Sequence, residues 1–100
     1  MKKIGRQCTT FQFSSHAVQR MYERGISKKD TITAVKNGEI ITEYPDDSPY
    51  PSYLLLARVN RRPIHVLLAL DLKDHICYII TVYEPDPKIW SDDFKTRRPQ

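Results

Sequence analysis

Residues 53–84 decide the fold: Tyr53-Leu54-Leu55-Leu56-Ala57-Arg58-Val59, then Ile64-His65-Val66-Leu67-Leu68-Ala69-Leu70-Asp71, then Ile76-Cys77-Tyr78-Ile79-Ile80-Thr81-Val82-Tyr83-Glu84. Each run has the length of a strand and ends at turn-forming or polar residues. The links between them, around Asn60-Arg61-Arg62-Pro63 and Leu72-Lys73-Asp74-His75, are short enough for antiparallel hairpins. The runs are apolar at nearly every position instead of every second one, so both faces of the resulting sheet need cover.

Upstream, the period is helical. Ser14 or Ser15 serves as N-cap for His16-Ala17-Val18-Gln19-Arg20-Met21-Tyr22-Glu23-Arg24, which stops at Gly25. At about 100° per residue, Ala17, Val18, Met21 and Tyr22 make the apolar face. His16, Arg20 and Arg24 recur every fourth residue and form a stripe along its flank. A second helix follows immediately, opened by Ser27 with Asp30 three residues on and closed by Asn37-Gly38 in the manner of a left-handed C-cap. Ile40-Ile41-Thr42-Glu43-Tyr44 is then a strand, ended by the three prolines of Pro45–Pro51. The weakly alternating residues 8–13 suggest an extra N-terminal edge strand. The expected fold is therefore α+β: a single domain over residues 1–100, with two N-terminal helices packed on a four-stranded antiparallel sheet. The helices cover one face. The other calls for the C-terminal segment with Trp90 and Phe94, a second copy of the chain in an oligomer, or a partner protein.

Composition narrows the class. The chain has 100 residues, 40% of them hydrophobic and 28% charged, which suits one soluble core and leaves no room for a regulatory module. No apolar run approaches the ~18 residues that span a bilayer, so no membrane association is expected. Two cysteines, Cys8 and Cys77, without CxxC spacing suggest no disulfide framework, and Cys77 reads as a small hydrophobe within its strand. Together with the lack of a signal peptide this points to the cytoplasm. The net charge is +4 but unevenly spread: residues 1–37 carry eight basic and two acidic side chains, and residues 38–57 carry four acidic and no basic ones. A basic half beside an acidic stretch suits a polyanion or a charged protein partner.

Three histidines bear on chemistry. His75 lies in a polar turn, and His65 stands among apolar neighbours, where it must find a hydrogen-bond partner, whether for structure or for function. His16 shares its stripe with Arg20 and Arg24. Cleavage of RNA by attack of its own 2′-hydroxyl needs a base, an acid and a cation over the phosphate. Histidine suits the first two roles and arginine the third. Thr81 and Tyr83 alternate onto one face of the last strand, and hairpin pairing brings His65 opposite residues 81–83. There is no glycine-rich phosphate loop, HExxH or paired CxxC, so neither a cofactor nor a metal is expected.

The motifs also resemble a known family. Phe13-Ser14-Ser15-His16-Ala17, Arg20-Met21 and Glu23-Arg24-Gly25-Ile26-Ser27 are similar to the opening of the domain-of-unknown-function family 4258. Asn37-Gly38-Glu39-Ile40-Ile41, Tyr44-Pro45, Arg62-Pro63-Ile64-His65-Val66 and Ile80-Thr81-Val82-Tyr83-Glu84-Pro85 agree, so the resemblance runs over residues 11–98. Where that family often has glycine before Arg-Pro, this chain has Arg61. The resemblance implies a fold like the RelE, barnase and colicin ribonucleases, RNA as substrate, and a small antitoxin protein with a zinc finger and a helix-turn-helix as partner. It implies catalytic roles for His16, His65 and Tyr83, and RNA or phosphate contacts for Arg20, Arg24 and Thr81. The function expected is that of a metal-independent endoribonuclease, the toxin of a toxin–antitoxin pair. A non-catalytic RNA- or protein-binding module and a structural interaction domain remain open beside it, as does which histidine is the base.

Overall fold

The computed structural model describes residues 4–99. A short 3-10 turn, Ile4–Gln7, leads into β1 (Thr10–Phe13), α1 (Ser15–Arg24), α2 (Lys28–Asn37), β2 (Glu39–Tyr44), β3 (Ser52–Val59), β4 (Arg62–Asp71) and β5 (Ile76–Tyr83).

Both helices start where their caps dictate. The Ser14 hydroxyl accepts from the Ala17 N–H at 3.0 Å, and the Ser27 hydroxyl accepts from the Asp30 N–H at 2.9 Å. Each satisfies one of the donors that a helix leaves orphaned at its start. Gly25 ends α1 in the left-handed region, φ 64°, with its N–H on the carbonyls of Met21 and Tyr22. That conformation costs a glycine little and lets the N-cap of α2, Ser27, follow two residues later. Gly38 departs from the expected left-handed cap: its φ is −73°, in the extended region. Glycine is needed there for room, because a Cβ would lie 2.6 Å from the Ala34 carbonyl oxygen. The apolar face of α1 is also narrower than its sequence suggests. Ala17 and Met21 are buried, whereas Val18 and Tyr22 are 41% and 88% exposed, since a ten-residue helix packed mainly on one strand, β5, buries one narrow stripe.

The sheet has five strands in the order β1-β5-β4-β3-β2. The expected four-stranded antiparallel sheet is present as β2 to β5, but β1 adds to β5 in parallel, with Thr10 beside Ile76 and Phe13 beside Ile79, so the sheet is mixed. Strands β3 to β5 form the two expected hairpins. Asn60 and Arg61 both take positive φ, 53° and 67°, in the first turn. Arg61 thus occupies a conformation that glycine would adopt without cost. Between β4 and β5 the ladder slips by one residue: Leu68 pairs with Ile79, but Leu67 pairs with Thr81. This bulge sends Val82 into the core and swings Tyr83 opposite His65. Without it Val82 would face His65.

Strands α1 and α2 pack against are the inner ones, on one face of the sheet. Ala17, Met21, Ile26, Ala34 and Val35 meet Leu55, Ala57, Val66, Leu68, Cys77, Ile79 and Val82 there. A fully buried leucine such as Leu68 contributes roughly 1.5–3 kcal/mol by leaving water. Alternation along β4 puts His65, Leu67, Ala69 and Asp71 on the opposite, far face. The chain itself covers part of that face. Residues 86–98 form a strap in which Trp90 bridges Arg97, the Ser91 N–H donates to the Thr96 carbonyl and the Arg98 N–H to the Ile89 carbonyl. Arg58 lies 5.5 Å from the Phe94 ring and Lys95 pairs with Glu39 at 3.2 Å, and these contacts tie the strap to β3 and β2.

Cys8 and Cys77 are joined in a disulfide. This corrects the expectation of an unpaired Cys77: the parallel docking of β1 on β5, invisible in cysteine spacing, sets their Cα atoms 5.6 Å apart. Among the described residues no helix is long and apolar enough to cross a membrane.

Candidate functional site

The unpaired edge of β5 organises the site. Pairing with β1 ends at Ile79, and α1 then runs along the remaining edge. The Ser14 hydroxyl donates to the Ile80 carbonyl at 3.3 Å, and Arg24 Nη1 donates to the Val82 carbonyl at 3.2 Å. The edge groups that a missing strand leaves open are thereby partly satisfied by helix side chains. Arg62 fixes the far end of α1 by donating to the Arg24 and Gly25 carbonyls while pairing with Glu84.

His65 sits on the far face with no exposed surface. Its Nε2 lies 2.8 Å from the Phe94 carbonyl oxygen and its Nδ1 lies 3.1 Å from the Tyr83 hydroxyl. A carbonyl can only accept, so Nε2 carries the proton, and in the neutral ring Nδ1 accepts from the Tyr83 O–H. The Trp90 ring stands edge-on to the imidazole, 4.4 Å between centroids. Burial pushes the His65 pKa below its ordinary value, with the Phe94 carbonyl opposing that shift by stabilising the cation. Phe94 holds a positive φ of 61° in presenting that carbonyl, an uncommon conformation for an aromatic residue.

Tyr83 connects this buried histidine to an open cavity of about 340 Å³. Tyr44, Leu54, Ile89, Trp90 and Arg97 share its lining. Burial raises the Tyr83 pKa and nearby Tyr44 adds to the rise, while Arg97 and Arg24 oppose it. The Arg97 guanidinium also lies over the Trp90 ring, 5.9 Å from its centroid. The cavity therefore combines an apolar floor, two phenols and a cation. Such a lining suits an anionic group attached to a flat or apolar body. No set of three His, Cys, Asp or Glu side chains that could hold a metal ion occurs among the described residues.

The structure brings together part of the expected site. His65 and Tyr83 are cross-strand partners in contact, and Thr81 shares their face opposite Leu67. Arg24 reaches the same strand from the helix. His16 and Arg20 stand elsewhere. Both are exposed on α1, whose buried residues Ala17 and Met21 press on the opposite face of the sheet from His65. Arg20 is further engaged by Glu23 at 3.3 Å. The sequence motifs do not mark Tyr44, Trp90 or Arg97 as site residues. For Trp90 and Arg97 a signal exists, since an all-apolar sheet requires a covering segment and residues 87–98 hold Trp90 with Arg97 and Arg98.

Comparison with known proteins agrees with the motif reading. The family described as Domain of unknown function (DUF4258) matches residues 13–84. No curated protein and no solved structure matches the chain.

Proposed function

The chain belongs to the domain-of-unknown-function family 4258, and from that premise we propose that it is an endoribonuclease working from the far face of its sheet, the toxin of a toxin–antitoxin pair. The observation that carries the reading is the hydrogen-bonded series from the Phe94 carbonyl through His65 to Tyr83, which ends at a cavity holding Arg97. A phosphodiester placed against Arg97 would lie beside the Tyr83 hydroxyl, and a guanidinium matches two phosphate oxygens at once.

The reaction follows from that arrangement. The substrate 2′-oxygen attacks the adjacent phosphorus and its proton passes to Tyr83 Oη, while the Tyr83 proton passes to His65 Nδ1. Burial and Tyr44 disfavour a free Tyr83 phenolate, and a concerted relay never requires one. The Phe94 carbonyl stabilises the imidazolium as it forms. The bond from phosphorus to the 5′-oxygen breaks, and that oxygen takes a proton from the Tyr44 hydroxyl across the cavity. The relay then reverses: His65 Nδ1 returns its proton to Tyr83 Oη as Tyr83 releases the proton it took from the substrate, and water in the open cavity carries that proton to Tyr44, which restores the site. Products are a 2′,3′-cyclic phosphate and a 5′-hydroxyl. The reading implies a cytoplasmic site of action, where Cys8 and Cys77 would meet a reducing milieu.

The test is incubation of the purified chain with an oligoribonucleotide in the presence of EDTA, followed by analysis of the ends. Cyclic-phosphate products that vanish when the scissile 2′-hydroxyl is replaced by hydrogen are expected. Hydrolytic 5′-phosphate ends would contradict the mechanism. Growth arrest with fragmented RNA on induction in a bacterial host is the matching expectation for a toxin.

A second reading has its own observation. With both nitrogens bonded and no exposed surface, His65 has the environment of a structural histidine. On that reading the face binds RNA, or a protein such as the antitoxin, without cleaving. RNA would then stay intact while its binding weakened steeply with salt.

A further inference from the structure

A second cavity, of about 570 Å³, opens on the same far face, with Tyr50, Ser52, Ala69, Tyr78 and Asp47 in its wall. Ser52 and Ala69 pair two residues along the ladder from Leu54 and Leu67, which line the Tyr83 cavity. Two residues of strand are about 6.6 Å, so the two cavities are neighbours along one sheet surface. Their chemistry differs. The first holds Arg97. The second holds a stacked pair of rings, Tyr50 and Tyr78, 5.5 Å between centroids and 6° from parallel. The buried Asp71 carboxylate lies beside this pair: it accepts from the Lys73 and Asp74 N–H groups, and its charge is the first cause of the raised Tyr50 pKa. Asp47 stands in the wall as well, and a carboxylate is an acceptor of hydrogen bonds.

We propose that this second cavity is a nucleobase subsite, in which the base of a nucleotide adjoining the phosphate at Arg97 stacks on the Tyr50–Tyr78 pair, with guanine favoured. An aromatic platform accepts the face of any base. The Asp47 carboxylate in the wall supplies the preference, because guanine offers two adjacent N–H donors on one edge, whereas uracil places carbonyl oxygens beside its single N–H. The inference rests on the ribonuclease reading and sharpens it into a substrate preference.

The experiment uses 2′-O-methyl GpG and UpU, which cannot be cleaved by 2′-oxygen attack, and the intact chain observed by NMR. The Trp90 indole N–H reports on the Arg97 cavity, and the Tyr50 and Tyr78 ring signals report on the second. GpG is expected to bind about tenfold more tightly than UpU and to move all three reporters, a ratio within the range of one carboxylate–base pairing. Asp47→Asn, on an exposed loop, should erase most of that ratio without altering the fold. Tyr78→Leu should weaken both ligands and leave the Trp90 shift in place. Equal binding of GpG and UpU, with Trp90 moved and the tyrosines unmoved, would overturn the subsite and leave the ribonuclease reading standing. No shift of any reporter with either dinucleotide would overturn both.

Discussion

The two faces of the sheet treat histidine in opposite ways. On the helix side, His16 opens α1 exposed to solvent, within a stripe of arginines that looks made for phosphate. On the far side, His65 is sealed beneath the C-terminal strap with both nitrogens bonded, one to a carbonyl and one to a phenol that reaches an open cavity. Sequence spacing joins the two histidines in one expected site, yet the sheet stands between them. The structure shows how the stripe is engaged: Arg20 pairs with Glu23 on its own helix, and Arg24 ties α1 to the edge of β5. The far face instead gathers its groups from β2, β4, β5 and the strap, which no local pattern displays.

The largest effect expected concerns the helix side and its disulfide. Cys8 and Cys77 are 69 residues apart, and closing a loop of that length restricts the unfolded chain by about 4 kcal/mol. Denaturant titrations with and without dithiothreitol should differ by about 2–4 kcal/mol; equal midpoints would show that the bond does not constrain the chain in solution.

Histidine substitutions sharpen the contrast between faces. His65→Ala strands the Phe94 carbonyl and opens a cavity under Trp90, and should cost about 2–4 kcal/mol in the same titration. His16→Ala should stay within about 0.5 kcal/mol of the parent, as exposed positions do. Similar losses at both would erase the distinction.

Acid should act through the far face. The His65 pKa is lowered in the fold, so below the unfolded value of about 6.5 the unfolded chain binds the proton more readily. Stability is full above that pH and falls as pH drops from there towards the folded value. His65→Gln should flatten this decline in a Tm-against-pH series. A decline of the same steepness in His65→Gln would assign it to other groups.

The smallest effect is Arg61→Gly, which relieves a left-handed residue in the β3–β4 turn and should raise stability by about 1 kcal/mol. Both helix starts, the Gly25 stop and the two central hairpins were legible in the sequence because capping and turn chemistry act over three or four residues. So was the meeting of His65 with the end of β5. The offset at Ile80 that makes Tyr83 its partner was not, since a bulge is fixed by packing on both faces. The parallel seating of β1, the disulfide it permits and the strap's carbonyl on His65 all join residues far apart in the chain. The separation of His16 from His65 depended on which face α1 would choose, and a single sequence carries no sign of that.

The central claim, that the far face and not the helical stripe is the reacting surface, is tested most directly by comparing Tyr83→Phe with His16→Ala. Both are assayed on one oligoribonucleotide under single-turnover conditions, at equal folded protein. The account predicts that Tyr83→Phe slows cleavage by about 100-fold or more, the usual contribution of a proton-transfer group, while His16→Ala stays within a few-fold of the parent. Loss of cleavage in His16→Ala with Tyr83→Phe fully active would contradict it.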